Sequence, residues 1–329
     1  MKKVEMPKVL FIRATAACNA NCFMCDFTKK NAPYFLTENM SKLLSEKLQK
    51  SSIKHIRITG GEPLLSNDIA DIISIFKSKG LAVSIITNGL LLKNRSESLI
   101  KSGIDQIIVS LDSSKPQRHN KLRNTDRLFE NIVEGIINIY KTKPSFLFRI
   151  NTVLSHYNIE ELPQMFKFLN KLNIRQWSLI PIKPLPKAEE IAKSLWFDIR
   201  LQLFELQKVL KYPKLMGYSL DAFGRNEFEY NNIFKNNRPK TPKQYCNTIN
   251  TVLFLDLGTN EIFPCNCIPH RKEYRNQFVS ETNNFIFDIP KDKKLWLYEN
   301  APKVCNGCEP LNAALGDRQI NLENNIFDF

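Results

Sequence analysis

The sequence predicts an α/β fold, a parallel β-sheet covered by helices. Apolar, β-branched runs recur six times before residue 181, and segments with apolar residues at helical spacing separate them. Polar, glycine-rich and cysteine-bearing stretches fall just behind those runs, where the strands would end. Repeated strand–helix units with right-handed crossovers build one sheet with helices packed on it. An open doubly wound sheet and a partial barrel both satisfy this pattern. Both gather their chemistry at the C-terminal ends of the strands.

The strand candidates are VLFIRAT (9–15), IKHIRIT (53–59), LAVSIIT (81–87), DQIIVSLD (105–112), FLFRINTVL (146–154) and RQWSLIP (175–181). Met40, Leu43, Leu44 and Leu48 mark the first helix; Ile69, Ile72, Ile73 and Phe76 mark the second. Leu99 and Ile100 mark the third, with Gly103 placed to cap it. Leu128, Phe129, Ile132, Val133, Ile136 and Ile137 mark a longer helix. Leu162, Met165, Phe166, Leu169 and Leu172 close the series. Past Pro181 the rhythm breaks, and PIKPLPKAEE (181–190) reads as a linker. An amphipathic helix over roughly 188–210 follows, carrying Leu195, Ile199, Leu203 and Leu206. From Tyr230 the chain is polar and irregular, and five of its eight cysteines lie there.

A chain of 329 residues can hold a barrel-sized domain and a smaller one. Its 43% hydrophobic and 24% charged residues are ordinary for a soluble globular protein. No apolar run approaches the roughly 20 residues that cross a bilayer. MKK and ATAAC near the N-terminus loosely imitate a lipoprotein signal, but Glu5, Pro7, Lys8 and Arg13 interrupt any apolar core. The expected location is the cytoplasm, where thiols stay reduced and eight cysteines point to metal or catalysis. The formal charge of +14 invites a nucleic-acid reading. Lysines are spread along the whole chain, however, and the basic stretch NNIFKNNRPKTPKQ (231–244) lacks the interleaved aromatics of a single-strand platform. Nucleic acid is therefore not the expected substrate.

Cys18-x3-Cys22-x2-Cys25 stands directly behind the first strand. Three thiols cannot all pair with one another in disulfides. A cubane of four irons takes four ligands, so three from this loop leave one iron open to a small molecule. A zinc site completed by a distant His or Cys is the alternative, although zinc sites usually use paired C-x2-C knuckles. Gly60-Gly61-Glu62-Pro63 follows the second strand, Thr87-Asn88-Gly89 the third and Ser110-Leu111-Asp112 the fourth, while Asn151 lies in the fifth. One active site on one rim is the economical explanation.

Taken together, the cysteine triplet and the GGEP stretch resemble the radical S-adenosylmethionine (SAM) superfamily, over residues 8 to 181. The resemblance implies a partial (β/α)6 TIM-like barrel. It implies that Cys18, Cys22 and Cys25 hold a [4Fe–4S] cluster whose fourth iron chelates SAM. An external one-electron reductant of flavodoxin or ferredoxin type feeds the cluster, SAM is cleaved, and a 5′-deoxyadenosyl radical abstracts hydrogen from substrate. By the same likeness Gly60, Gly61 and Glu62, with Pro63, meet the methionine amino group, the glycines letting backbone approach a ligand. Ser110 and Asp112 match a position that meets the ribose or the methionine carboxylate. Arg123 matches an arginine whose donor fork pairs with that carboxylate. Asn151, with Leu179 or Ile180, falls where relatives contact adenosine, and Met24 stands where many carry an aromatic residue. His119 and His156 are expected in loops and Trp177 in the core; no catalytic side chain is singled out.

Farther on, Cys246-x18-Cys265 and Cys305-x2-Cys308 flank TVLFLDLGTNEIFPC (251–265), which reads as two short strands joined by a turn at Gly258. This resembles the twitch domain, a shortened SPASM extension that holds one auxiliary [4Fe–4S] cluster on four cysteines. A zinc ribbon on the same thiols is the alternative. No thiol follows Cys308, so no further cluster is expected, and Cys267 is read as spare. The expected organisation is a radical SAM core over 1–181, a helical linker over 182–245 and an auxiliary-cluster domain over 246–329. The function implied is C–H chemistry on a small polar metabolite such as a sugar, aminocyclitol or nucleoside, by a dehydrogenase, decarboxylase or related enzyme. An auxiliary cluster that accepts an electron would make it a net oxidation. Peptide modification is the first alternative, though such enzymes often carry an added recognition domain and the first strand here begins by residue 9. An RNA-modifying enzyme or a non-enzymatic Fe–S or zinc protein comes after it.

Overall fold

A computed structural model describes residues 7–25, 33–181, 252–263 and 280–281. The strands are β1 (Val9–Thr15), β2 (His55–Gly60), β3 (Ala82–Thr87), β4 (Gln106–Ser110), β5 (Leu147–Leu154), β6 (Gln176–Pro181), β7 (Val252–Asp256), β8 (Glu261–Phe263) and β9 (Ser280–Glu281). The helices are α1 (Glu38–Leu48), α2 (Ile69–Ser78), α3 (Leu92–Lys101), α4 (Pro116–Arg123), α5 (Leu128–Thr142) and α6 (Leu162–Lys171). All the strands join one sheet in the order β6-β5-β4-β3-β2-β1-β7-β8-β9. From β1 to β6 the pairing is parallel throughout. Each crossover steps one strand in the same direction, so right-handed connections leave the helices on one face. That is a partial (β/α)6 barrel. A doubly wound sheet would reverse its order at a switch point.

Side chains alternate across each strand. Leu10, Ile12, Ile56, Ile58, Val83, Ile85, Ile107 and Val109 are fully buried in one core with Leu44, Phe76, Leu99, Ile132 and Met165 from the helices. Trp177 is buried there as expected, its Nε1 donating to Thr152 Oγ1 at 2.8 Å. Several alternate residues of β2, β3, β5 and β6 are polar and also buried. His55 Nε2 lies 2.8 Å from Ser84 Oγ, Arg57 Nε donates to the same oxygen at 3.1 Å, and Arg149 Nε donates to Ser178 Oγ at 2.7 Å. A helix-facing apolar side and a polar lining give the barrel its two surfaces, and hydrogen bonds offset the desolvation of the buried groups.

The six predicted strands and five predicted helices appear near their expected positions, and Gly103 caps α3 with a φ of +78°. Leu43 and Ile137, counted on buried faces, are 47% and 42% exposed. Helix α4 was not expected. It starts with Pro116 at its first turn and ends at Asn124 in the left-handed region, but PQRHNKLR shows no apolar period. His119 therefore lies in a helix, fully buried, and not in a loop. His156 does lie in a turn, its ring centroid 3.9 Å from that of Tyr157 and tilted 38° to it.

The predicted hairpin is formed by β7 and β8, antiparallel with Phe254 opposite Phe263. Its first strand also pairs in parallel with β1, from Val9↔Val252 to Arg13↔Asp256. Phe11 stacks on Phe254 at 4.6 Å, and Arg13 Nη1 meets Asp256 Oδ2 at 2.8 Å. The main sheet thus continues past β1. The predicted helix at 188–210, the linker 182–245, and Cys246, Cys265, Cys267, Cys305 and Cys308 lie outside the described residues. Among the described residues no helix is long and apolar enough to cross a membrane.

Candidate active site at the C-terminal rim

The chain leaves β1 at Thr15 and turns through Cys18, Cys22 and Cys25, whose thiols are all free. Ala17 N–H donates to Thr15 Oγ1 at 3.0 Å, and Cys25 N–H closes a turn on Cys22 O at 3.2 Å. The base of this loop is tied to the end of β2: Gly61 N–H donates to Thr15 O and Glu62 N–H to Ala17 O, both at 2.7 Å. The glycines are needed here for a reason beyond ligand approach. Gly60 has a φ of +140°, and a Cβ on it would stand 2.3 Å from Thr15 O; a Cβ on Gly61 would stand 2.1 Å from Ala17 O. What comes close to them is the backbone of the cysteine loop.

A direct prediction follows. Gly61→Ala must displace Ala16 and Ala17, one residue short of Cys18. Overpacking of this kind costs about 1–3 kcal/mol. The variant should keep its far-UV circular dichroism but bind less iron on reconstitution. Unchanged iron loading would show that the cysteine loop does not need this contact.

Glu62 is completely buried, and both its carboxylate oxygens are occupied inside the protein. Oε1 accepts from Leu64 N at 2.9 Å and from Thr87 Oγ1 at 2.7 Å; Oε2 accepts from Asn88 N at 2.6 Å. Burial pushes its carboxyl up to about 7, against the pull of these three donors. Pro63 begins the 3-10 turn Pro63–Leu65 that Glu62 caps. Sequence reasoning noted Thr87-Asn88-Gly89 as a rim feature but gave its residues no role. The structure shows Asn88 bridging to the cysteine loop, with Nδ2 at 3.6 Å from Cys18 Sγ and 2.9 Å from Asn19 Oδ1.

Helix α4 carries Arg123 back over the rim. Its Nε donates to Asp112 Oδ2 at 2.6 Å and its Nη2 to Asp112 Oδ1 at 3.1 Å, while Nη1 lies 3.9 Å from Cys22 Sγ. Asp112 Oδ1 also accepts from Val153 N at 2.8 Å. The likeness to the superfamily implies that Asp112 and Arg123 lie at the ligand, and the structure joins the two side chains to each other. His119 Nδ1 accepts from Asp112 N at 3.1 Å, and burial holds this imidazole neutral, pushed down to about 3. Asn158, another residue the sequence did not single out, donates to Asp112 O at 2.9 Å and Val153 O at 2.7 Å. Met24 packs with Leu122 and Val153, seating the cysteine loop against α4. Ser110 and Asn151 are paired across β4 and β5 and are both partly exposed. Leu179 and Ile180 sit opposite Thr152 and Val153 in β6.

The thiols fit an iron–sulfur cluster. Cys18 Sγ accepts from Ala20 N at 3.5 Å as well as from Asn88, and Cys22 Sγ accepts from Arg123. Sulfur surrounded by donors suits a thiolate, and bound iron removes the thiol proton. Burial raises both thiols, and for Cys22 the Arg123 charge opposes that rise. Among the described residues no three Cys, His, Asp or Glu groups converge as ligands of a single metal ion. A cubane asks for no such convergence, since its thiolates bind separate irons.

Fold and rim together define a partial barrel with a three-thiol loop above its strands. A family model described as Radical SAM superfamily matches residues 12–169. The "Probable GTP 3',8-cyclase" of Methanocaldococcus jannaschii is 30% identical over 193 residues, 58% of this chain and 63% of that protein. The "AdoMet-dependent heme synthase" of Methanosarcina barkeri is 28% identical over 211 residues, 62% of this chain and 60% of that protein. The chain thus spans less than two thirds of the length of these curated relatives. The structure of Streptococcus suis SuiB bound to S-adenosylmethionine superposes with a TM-score of 0.66 at 16% identity, covering 97% of this chain and 75% of SuiB. That likeness concerns the fold. Residues 12–169 thus match the radical SAM superfamily.

Proposed function

We propose that the protein is a radical SAM enzyme acting on a small polar metabolite, of sugar, aminocyclitol or nucleoside-like class. One observation carries the reading: the three-thiol loop is hydrogen-bonded directly to the Gly61 and Glu62 backbone, and the polar pair Ser110 and Asn151 lies where β4 ends on the same rim. Cys18, Cys22 and Cys25 would hold a [4Fe–4S] cluster with one open iron. With SAM bound, that group supplies one-electron reductive cleavage and the hydrogen abstraction that follows. The chain's own residues bind and orient. Because the Glu62 carboxylate is engaged within the protein, the backbone of Gly60 to Glu62 is left to receive the methionine amino group. Ser110 and Asn151 receive the ribose and adenosine, Met24 flanks the adenine, and the Nη1 edge of Arg123 faces the carboxylate end.

The relatives named for GTP cyclisation favour a nucleotide-like substrate over a peptide. Cys246, Cys265, Cys305 and Cys308 are proposed to hold an auxiliary cluster that exchanges one electron with the substrate, in a cytoplasmic enzyme fed by a flavodoxin or ferredoxin. Two four-iron clusters correspond to about eight irons per chain. Saturation at half that iron, with one zinc, would favour a zinc ribbon at the C-terminal thiols. The test of the activity is anaerobic reconstitution with SAM and dithionite. Methionine and 5′-deoxyadenosine are expected. SAM recovered intact from a protein that holds its iron would overturn the proposal.

A further inference from the structure

We propose that Asn88 is a positioning residue for the cluster, and that the chain of hydrogen bonds from Glu62 through Asn88 to Cys18 sets the cluster's reduction potential. This rests on the cluster assignment above. The Asn88 amide has one orientation available to it. Its Oδ1 accepts from Leu90 N at 2.8 Å, so Nδ2 must face the cysteine loop, where it meets Asn19 Oδ1 at 2.9 Å and Cys18 Sγ at 3.6 Å. Its own N–H is held by Glu62 Oε2 at 2.6 Å. Glu62 in turn is anchored by Leu64 N and Thr87 Oγ1, and Gly89 N–H donates to Thr87 Oγ1 at 2.9 Å. Both Glu62 and Thr87 are fully buried, and Asn88 is 8% exposed. A donor amide is thus locked beside one cluster thiolate by groups that cannot readily move.

Donors to ligand sulfur favour the reduced, more electron-rich state of a cluster and raise its potential. Asn88 does this for Cys18 as a neutral amide, without adding charge. Glu62 acts one step further back, by fixing the turn that carries Asn88. The GGEP stretch therefore has a second duty, distinct from its backbone contact with a ligand.

The test is an EPR-monitored redox titration of the reconstituted N-terminal cluster in wild type, Asn88→Ala and Asn88→Asp. Asn88→Asp is isosteric and keeps the oxygen that caps Leu90 N, which guards against simple loss of the fold. Both variants should keep their iron and titrate at a lower potential. A shift of about 59 mV corresponds to a tenfold change in the reduced-to-oxidised ratio of a one-electron couple. Asn88→Asp should shift at least as far as Asn88→Ala, because a carboxylate replaces the donor. Unchanged midpoints in both iron-loaded variants would overturn the proposal. Loss of iron from both folded variants would overturn it too, by making Asn88 a residue of cluster assembly and not of tuning. A wild type without any four-iron signal would instead refute the cluster assignment itself.

Discussion

Cys22→Ala should abolish formation of 5′-deoxyadenosine and remove about four irons per chain, the content of one cubane. Cys22 is the buried thiol of the three, 8% exposed, and it is the one that Arg123 Nη1 approaches at 3.9 Å. Alanine cannot ligate iron. With only Cys18 and Cys25 left on the loop, the cluster loses one of its three thiolate ligands. The loss should be one of chemistry and not of folding, because the loop's ties to β2 run through backbone atoms of Thr15, Ala17, Gly61 and Glu62. Iron assay and product analysis check it together. SAM cleavage surviving in this variant would remove the cluster from the site.

Asp112→Ala should cost more stability than any other single change at the rim, about 3–5 kcal/mol, the loss typical of breaking a buried ion pair from one side. The side chains of Asp112 and Arg123 are 0% and 10% exposed, and two hydrogen bonds join them. Removing the carboxylate strands a buried guanidinium and leaves Val153 N–H without its acceptor. Among the described residues the charge of Arg123 is then opposed by burial and met by Cys22 alone. Asp112→Asn retains an acceptor and should lose less. The denaturant midpoint of each variant, taken with circular dichroism, provides the measurement. A loss below about 1 kcal/mol in Asp112→Ala would place the pair in solvent, where ion pairs contribute little.

Much of the barrel was legible because its signals are local. IKHIRIT alternates polar and apolar residues from His55 on, LAVSIIT is an apolar, β-branched run, and the helices between strands carry apolar residues at turn spacing. Their burial in the structure follows directly from that pattern. The rim was legible for a related reason: cysteines, glycines and carboxylates gathered at the ends of the strand candidates.

What escaped is non-local or unpatterned. Helix α4 buries only His119, Leu122 and Arg123, so no apolar stripe announces it. It is nevertheless the element that brings Arg123 to Cys22. The parallel pairing of β7 with β1 joins Arg13 to a residue 243 positions away, and nothing in VLFLD names its neighbour. The sequence also did not show that the Glu62 side chain is bound inside the protein by Leu64, Thr87 and Asn88. A GGEP stretch reads the same whether its carboxylate faces inward or outward. Only the burial distinguishes them.

The most direct test of the central claim is the EPR spectrum of the dithionite-reduced N-terminal cluster, recorded with and without SAM. Recording it in the Cys305→Ala/Cys308→Ala background keeps the C-terminal site from contributing. Three thiolates leave one iron for SAM, so the spectrum should change when SAM is added, with methionine and the cysteine triplet sharing the same cluster. A spectrum that stays the same at saturating SAM would contradict the account, because the cluster would then have no open iron for SAM to reach.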